Sequence, residues 1–438
     1  MLVRYKQDEK GRSVAFANIY TPNEHHINPA LVDRDAAWAV RKLQQSGAEA
    51  YLVGGAVRDL LLGLIPKDFD ITTSASPRQI QRLFYNARII GRRFKLVHLI
   101  FGEKIIECST FRSGEEAEDG SNNVFGSVDQ DAKRRDFTIN SLYYNPTNGQ
   151  LLDFNHAMED FKKRRIRSII PLDDSFTEDP VRMIRAVKYS VTTGFRLQWD
   201  VRRAIHRYSG ELARTSTSRL TEEVNKILAS GRCTDIFLAL EKYNLLVYML
   251  PCFSVYCKFE KEKQSLRELD RLVGLAKQGK GPEVSLADQI RYLVAPLIVY
   301  QDENQSGSDR FHETYRQIKV LLSPMTPPNY EIEKASAQLL SDHGFKVPRT
   351  YGGRQKRAPN LSPPQNISTG KRRGEKKTLW RSAWESSGPR CCAEPGGADQ
   401  RRSARSVISP TPRFRWRRTR RKSNCIFPDC PRCIPEVR

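Results

Sequence analysis

The stretch Tyr51-Leu-Val-Gly-Gly-Ala-Val-Arg-Asp-Leu-Leu-Leu-Gly63, with Asp68-Phe-Asp-Ile-Thr72 close behind it, decides how the chain is read. Ala50 to Val53 is a short apolar run of strand length, broken by Gly54-Gly55; Val57 to Leu62 then resumes helical spacing and stops at Gly63. A strand, a Gly-Gly turn and a helix leave backbone N–H groups exposed at a helix N-terminus, and glycine lets a phosphate come close to the backbone. The same dipeptide also serves as an ordinary tight turn. It matches neither the Gly-Lys-Ser/Thr phosphate loop nor the dinucleotide fingerprint, which disfavours both of those folds. Upstream, Pro29 to Gly47 carries the spacing of an amphipathic helix.

Working outward, Lys67-Asp68-Phe69-Asp70-Ile71 has strand character, and strand alternation predicts both carboxylates on one face. Like charges held side by side repel, so the pattern favours a divalent cation that neutralises them. An isolated Asp-x-Asp also occurs on a solvated strand edge. A third carboxylate, Glu107, lies in the strand-like run Lys104-Ile-Ile-Glu-Cys-Ser109, flanked by apolar residues. Three acidic groups on one sheet point to Mg²⁺ bound together with a substrate triphosphate.

The chain has 438 residues, 39% of them hydrophobic, enough for a sizeable core and too many for a single small domain. No apolar run is long enough to span a bilayer, and Met1 to Gly11 is polar and lacks a secretory pattern, so a cytoplasmic location is expected. Nine cysteines at irregular spacing suit reduced thiols. The formal net charge is +23, and Lys346 to Arg438 holds 24 basic against 6 acidic residues, so most of the excess sits there. That segment, rich in Arg, Pro, Ser and Gly, has the composition of a disordered basic tail. Its run Arg413-Phe-Arg-Trp-Arg-Arg-Thr-Arg-Arg-Lys422 suits phosphate neutralisation and base stacking on single-stranded nucleic acid; the alternative is a solvated charge run. Cys430 and Cys433 have ligand spacing, but Cys391, Cys392 and Cys425 supply no matching second pair for zinc.

These motifs, with Arg134-Arg-Asp-Phe-Thr-Ile-Asn140 and Glu178-Asp-Pro-Val-Arg-Met-Ile-Arg-Ala186, resemble in order over residues 30 to 250 the class II nucleotidyltransferases of the polymerase β superfamily. That group holds the CCA-adding enzymes and the bacterial poly(A) polymerases. Leu83-Phe-Tyr-Asn-Ala-Arg88, Gly91-Arg-Arg-Phe-Lys-Leu-Val-His98, Asn123-Val-Phe-Gly-Ser127 and Ser141-Leu-Tyr-Tyr144 look like the poly(A) polymerase branch, as does the basic C-terminal extension.

The resemblance implies that Asp68 and Asp70 hold two Mg²⁺ ions, with Glu107 near the primer end and ATP as substrate. It implies that Gly54, Gly55 and Arg58 face the triphosphate, Asp59 orienting Arg58, and that Arg112 and Arg135 are further phosphate or ribose contacts. Asp129 to Tyr144 reads as a helix with Asp136 and Asn140 on one face, as a nucleotide contact or as a surface network. Asp179 and Arg182, three apart in the helical pattern from Glu178 to Thr193, are expected to share a face and read one planar base. A carboxylate accepts and a guanidinium donates, which fits the amine beside a ring nitrogen of adenine or cytosine and leaves guanine and uracil unpaired. Arg185 supports that face or forms a plain helix salt bridge.

The expected fold is α+β: an N-terminal arm (1–29), a small mixed-sheet nucleotidyltransferase head (30–153), a neck for nucleobase and RNA (154–230), a helical body (231–345) and the basic tail (346–438). Thr215 to Leu228 and Thr234 to Leu250 read as amphipathic helices, Gly279-Lys-Gly281-Pro282 as a loop, and Cys233, Cys252 and Cys257 as buried fillers. Where relatives carry Gly-Gly after the head, this chain has His156-Ala157, which predicts a stiffer hinge, with His156 an exposed loop residue. The implied activity is template-independent addition of AMP to RNA 3′-ends of mRNA or small RNA, with proteins of RNA turnover as partners. A CCA-adding or A-adding tRNA enzyme is the alternative, and a nonenzymatic RNA-binding protein of this fold a second one.

Overall fold

Fully buried Ala50–Val53 cannot stand as a strand unless both its edges are paired, and they are. The computed structural model describes residues 2–7, 12–91, 96–113, 125–300 and 305–347, all inside one compact unit, Met1–Pro359. Along the chain come β1 (Leu2–Gln7), β2 (Ser13–Tyr20), α1 (Pro22–His25), α2 (Arg34–Gln45), β3 (Ala50–Val53), α3 (Gly55–Leu61), β4 (Asp70–Thr73) and α4 (Pro77–Leu83). They are followed by β5 (Ala87–Ile90), β6 (Leu96–Phe101), β7 (Lys104–Thr110), α5 (Val128–Lys133), β8 (Leu142–Asn145), β9 (Gln150–Asp153) and α6 (Ala157–Lys162). The nine strands form one sheet in the order β1-β2-β9-β8-β3-β4-β7-β6-β5, antiparallel throughout except for the parallel pair β4 and β7. Residues 2–20, ahead of the head boundary drawn from sequence, thus contribute two strands to the head sheet.

The amphipathic reading of 29–47 resolves into a 3-10 turn, Pro29–Leu31, and α2, because the Asp33 carboxylate accepts from the Asp35 and Ala36 N–H groups and starts the helix there. Ala36, Ala39, Val40 and Leu43 of α2 are buried against Leu52 and Ile71, closing one face of the sheet.

After the sheet the chain is helical: α7 (Leu172–Glu178), α8 (Val181–Thr193), α9 (Trp199–Tyr208), α10 (Thr217–Leu228), α11 (Cys233–Lys242) and α12 (Leu246–Met249). Then follow α13 (Pro251–Tyr256), α14 (Glu260–Lys277), α15 (Leu286–Val294), α16 (Gly307–Leu322) and α17 (Asn329–Asp342). A two-stranded parallel pair, Arg165–Ile166 with Arg196–Leu197, is the exception. One apolar core runs from Phe137 to Leu339, and Phe161 touches both it and the head core. The helix expected over 234–250 breaks, since Asn244 adopts φ 55 and ends α11 before α12 begins. Cys233 and Cys257 are buried as expected; Cys252 is only partly so. No helix among the described residues is long and apolar enough to cross a membrane. The basic-aromatic run and the cysteines of the tail lie outside the described residues.

At the junction after β9, the buried Asp153 carboxylate accepts the N–H groups of Asn155 (3.1 Å), Ala157 (2.9 Å) and Met158 (3.0 Å), starting α6. His156 takes φ 57 and stays exposed, so a position where the resemblance leads one to expect glycine has left-handed backbone. Asp153→Ala strands these donors and is expected to cost about 3 kcal/mol, read as a lower urea midpoint at unchanged m-value.

Candidate active site

The end of β3 and the start of β4 lie side by side, Val53 opposite Asp70, and β7 adds Glu107 opposite Asp70 on the other side. Gly54, just beyond β3, has φ 70 and ψ −134, a conformation open to glycine alone. A Cβ placed there would lie 3.6 Å from Asp70 Oδ2 and 3.8 Å from Arg135 Nη1, so Gly54 keeps open the space between carboxylate and guanidinium. Burial lifts the Asp70 pKa to about 6; Glu107 adds to the rise, Arg135 opposes it and Asp68 adds a little more. Asp68 itself lies in the loop before β4, because the strand begins only at Asp70. Strand alternation therefore does not pair the two aspartates, and a short connection brings Asp68 within electrostatic range instead. Among the described residues no three His, Cys, Asp or Glu side chains converge into a ready-made metal cage.

Arg135 is held rigidly. Its Nε donates to the Tyr143 hydroxyl (3.0 Å) and its Nη2 to Asp131 Oδ2 (3.0 Å), and the Tyr143 hydroxyl donates to the same oxygen (2.7 Å). Arg134 pairs with the other oxygen of Asp131, to which the Arg112 backbone N–H also donates at 3.3 Å. Against the upward push of burial, Arg135 and Arg134 hold the Asp131 carboxyl below the usual carboxylate range.

The helix expected over 129–144 is not continuous. The chain leaves α5 at Lys133, makes a 3-10 turn over Thr138–Asn140 and enters β8, since Tyr143 and Tyr144 alternate into the sheet. The turn still brings Asn140 to Asp136 (3.4 Å). Asn140 also accepts from Arg58 Nη1 (3.0 Å), Arg58 Nε donates to Asp59 (2.9 Å), and Asp136 pairs with Arg185 at 2.9 Å. Arg58 and Arg185 both lie over the Tyr189 ring. Asp59 holds Arg58 by a hydrogen bond, and Arg185 finds its acidic partner, Asp136, on another element while also donating to the Tyr189 hydroxyl of its own helix (3.2 Å).

The Glu178–Thr193 helix splits because Pro180 drives Asp179 to φ −138, ending α7 before α8 begins. Asp179 and Arg182 are consequently not a same-face helical pair. Asp179 Oδ2 accepts from Arg219 of α10 at 2.8 Å and its Oδ1 from the Val181 N–H at 3.2 Å, while Arg182 pairs with Glu178 at 2.9 Å. Arg182 lines a cavity of about 530 Å³ with Arg112, Ser113, Gln130, Lys133, Arg134 and Glu178, a size suited to a small ligand. Gly126 packs directly against the backbone of Ser113, where a Cβ would meet the Ser113 nitrogen at 2.6 Å. Sequence reasoning missed Asp131, Tyr143, Lys133, Tyr189 and Arg219. Lys133 adjoins a recognised motif, but Arg219 carries no local signal, being 40 residues from Asp179.

Family models match twice: "Poly A polymerase head domain" over residues 50–167, and "Probable RNA and SrmB- binding site of polymerase A" over residues 194–257. Over these residues the chain is similar to the poly(A) polymerases and the tRNA nucleotidyltransferases. It is 40% identical over 250 residues to the poly(A) polymerase I of Salmonella typhi, covering 54% of this chain and 54% of that protein. To the CCA-adding enzyme of Geobacillus thermodenitrificans it is 36% identical over 220 residues, covering 49% and 54%. The chain therefore spans about half the length of these curated relatives. A solved structure described as a tRNA-processing enzyme in an apo form has the same fold, with a TM-score of 0.50 at 23% identity, covering 72% of this chain and 80% of that one.

Two outcomes follow from the charges. Asp131→Asn leaves two guanidiniums with their shared countercharge removed and should lower the unfolding free energy by about 3 kcal/mol. Asp70 binds its proton more tightly folded than unfolded, so its ionisation costs nothing below pH 4 and costs most above pH 6. Asp70→Asn should therefore raise stability in EDTA by up to about 3 kcal/mol at pH 8, with the gain gone at pH 3.5, in thermal melts.

Proposed function

We propose that this chain is a template-independent poly(A) polymerase that transfers AMP from ATP to RNA 3′-ends and releases pyrophosphate, acting in the processing and turnover of mRNA and small RNA. The observation that carries this reading is the Asp70 carboxylate. It is half-buried, its pKa is raised beside Glu107 and Asp68, and it is faced across Gly54 by Arg135. Such a cluster repels a further anion unless a cation neutralises it, and its donors are the hard oxygens that Mg²⁺ prefers. Mg²⁺ takes one or two protein carboxylates and completes its shell with substrate phosphates, so Asp68 and Asp70 suffice without a preformed cage. When bound, it would supply charge neutralisation and a lowered pKa for the RNA 3′-hydroxyl.

The chain's own part is positioning and electrostatics. The RNA 3′-oxygen attacks the α-phosphorus, the bond to the bridging oxygen breaks, and the negative charge leaves with pyrophosphate. Arg135, locked by Asp131 and Tyr143, presents its Nη1 edge toward Gly54 and Asp70 and meets that charge without reorganisation. Gly54 admits the phosphate. Arg58, braced by Asp59 and Asn140, orients the turn behind it. The cavity walled by Arg112, Lys133, Arg134 and Arg182 suits the nucleotide, its guanidiniums and ammonium offering donors to phosphate or to a ring nitrogen of the base. Arg219 holds the Asp179 carboxylate and so ties α10 to the start of α8 beside this cavity.

The similarity to poly(A) polymerase I at 40% identity supports this reading over the CCA-adding alternative at 36%. The test offers the full chain an oligo(A) primer and a tRNA lacking its CCA end, with each nucleoside triphosphate alone and with ATP plus CTP. Long ladders on oligo(A) with ATP alone are expected, and Asp70→Ala should abolish them. Growth that stops after C, C and A on the tRNA assigns the other activity. Arg182→Ala, which removes a donor from the cavity wall, should lower kcat/KM for ATP about tenfold while leaving the reaction on ATP intact in kind.

A further inference from the structure

Strand register continues the row of catalytic carboxylates across the head sheet. Asp70 of β4 stands opposite Glu107 of β7, Glu107 opposite His98 of β6, and His98 opposite Arg88 of β5. Directly opposed residues share a face, so Asp70, Glu107, His98 and Arg88 form one row across four strands. Three strand spacings make it about 14 Å long. The opposite face is closed by Ala87, Val97, Leu99, Ile106 and Cys108 in the head core. The row's own face is open: Arg88 is exposed, the Glu107 side chain is 52% exposed, and His98 Nε2 lies 3.8 Å from Glu107 Oε1. Arg88 makes no hydrogen bond or ion pair with the described residues. Beside the row on the same face stand exposed Ile90 and Ile105 and partly exposed Leu96 and Ile100.

The charges along this row run in a definite order. On the β3 side of Asp70 are Gly54 and Arg135, where the proposed function seats the triphosphate. On its β5 side come the carboxylate of Glu107 and then two groups that donate to anions, His98 and Arg88. In an in-line phosphoryl transfer the attacking and leaving oxygens lie on opposite sides of the phosphorus. With pyrophosphate leaving toward Arg135, the attacking 3′-hydroxyl must arrive from the Glu107 side, and the strand that carries it must lie along the row. We propose that Arg88 and His98 bind backbone phosphates of the last nucleotides of the single-stranded RNA primer, with Ile90 and Ile105 against its riboses and bases. Arg88 supplies a charge-assisted donor fork, His98 a ring N–H, and the aliphatic residues an apolar bed. The inference rests on the reading that the chain extends RNA from a nucleoside triphosphate. It adds where the RNA lies and which residues hold it.

The test uses the full chain with labelled oligo(A) and ATP. Arg88→Gln and His98→Asn should each raise the KM for oligo(A) about five- to tenfold and leave the KM for ATP within about twofold. In equilibrium binding of oligo(A), Arg88→Gln should also flatten the plot of log K against log salt by about 0.7, the loss of one phosphate contact on a single strand. Arg88→Lys should restore the slope. An unchanged oligo(A) KM and salt slope in Arg88→Gln, or a rise confined to the KM for ATP, overturns the proposal. Should the wild-type chain bind oligo(A) yet fail to extend it, the proposed function falls, and the salt slope of Arg88→Gln still decides whether RNA lies on this row.

Discussion

The buried Asp131 carboxylate is the constraint on which the site depends. An ionised group with no solvent exposure survives only if every lone pair is engaged, and here two arginines, a tyrosine hydroxyl and a backbone N–H engage them. In satisfying itself, Asp131 aims Arg135 at Gly54 and Asp70, sets Arg134 in the cavity wall and ties down the segment at Arg112. One desolvated charge thus gives two separate regions, the carboxylate row and the basic cavity, a common origin. The cations are positioned before any substrate arrives, which is what electrostatic catalysis requires.

A second network joins the sheet to the first long helix beyond it. Asp59, Arg58, Asn140, Asp136 and Arg185 form a continuous chain of polar contacts from α3 to α8, with Tyr189 stacked beneath two of the guanidiniums. Its members come from three separate parts of the sequence, so the network exists only once the head and the helical region are in place. The basic cavity lies across the same junction, between Arg112 to Arg134 and Ile169 to Arg182. Rigid coupling of the two layers therefore bears on the shape of that cavity as well as on stability. Asp70 adds the opposite tendency: a carboxylate pushed up to about 6 by burial and neighbouring acids is a locally unfavourable charge, relieved by a cation.

Much of this was legible in the chain. β3 and the turn at Gly54-Gly55 were readable from an apolar run and a breaker pair, and Glu107 from its strand-like surroundings. Where the reading went astray, proline or a competing strand decided. Pro180 split a helix whose spacing looked continuous, and Tyr143-Tyr144 drew into the sheet a segment that local periodicity had assigned to a helix. Asp68 and Asp70 looked like neighbours on one strand face, yet the strand starts only at Asp70.

By itself the sequence determined the class of chemistry, the α+β arrangement and most of the charged residues at the site, because these rest on residue type and short-range spacing. Only the tertiary structure decided how those residues are used. Arg219 on Asp179, Asp131 between two arginines, Arg185 on Asp136 and the row from Asp70 to Arg88 are contacts between segments set by strand register and helix packing. No local pattern encodes them, since desolvation and mutual charge act through space between residues that the chain keeps far apart.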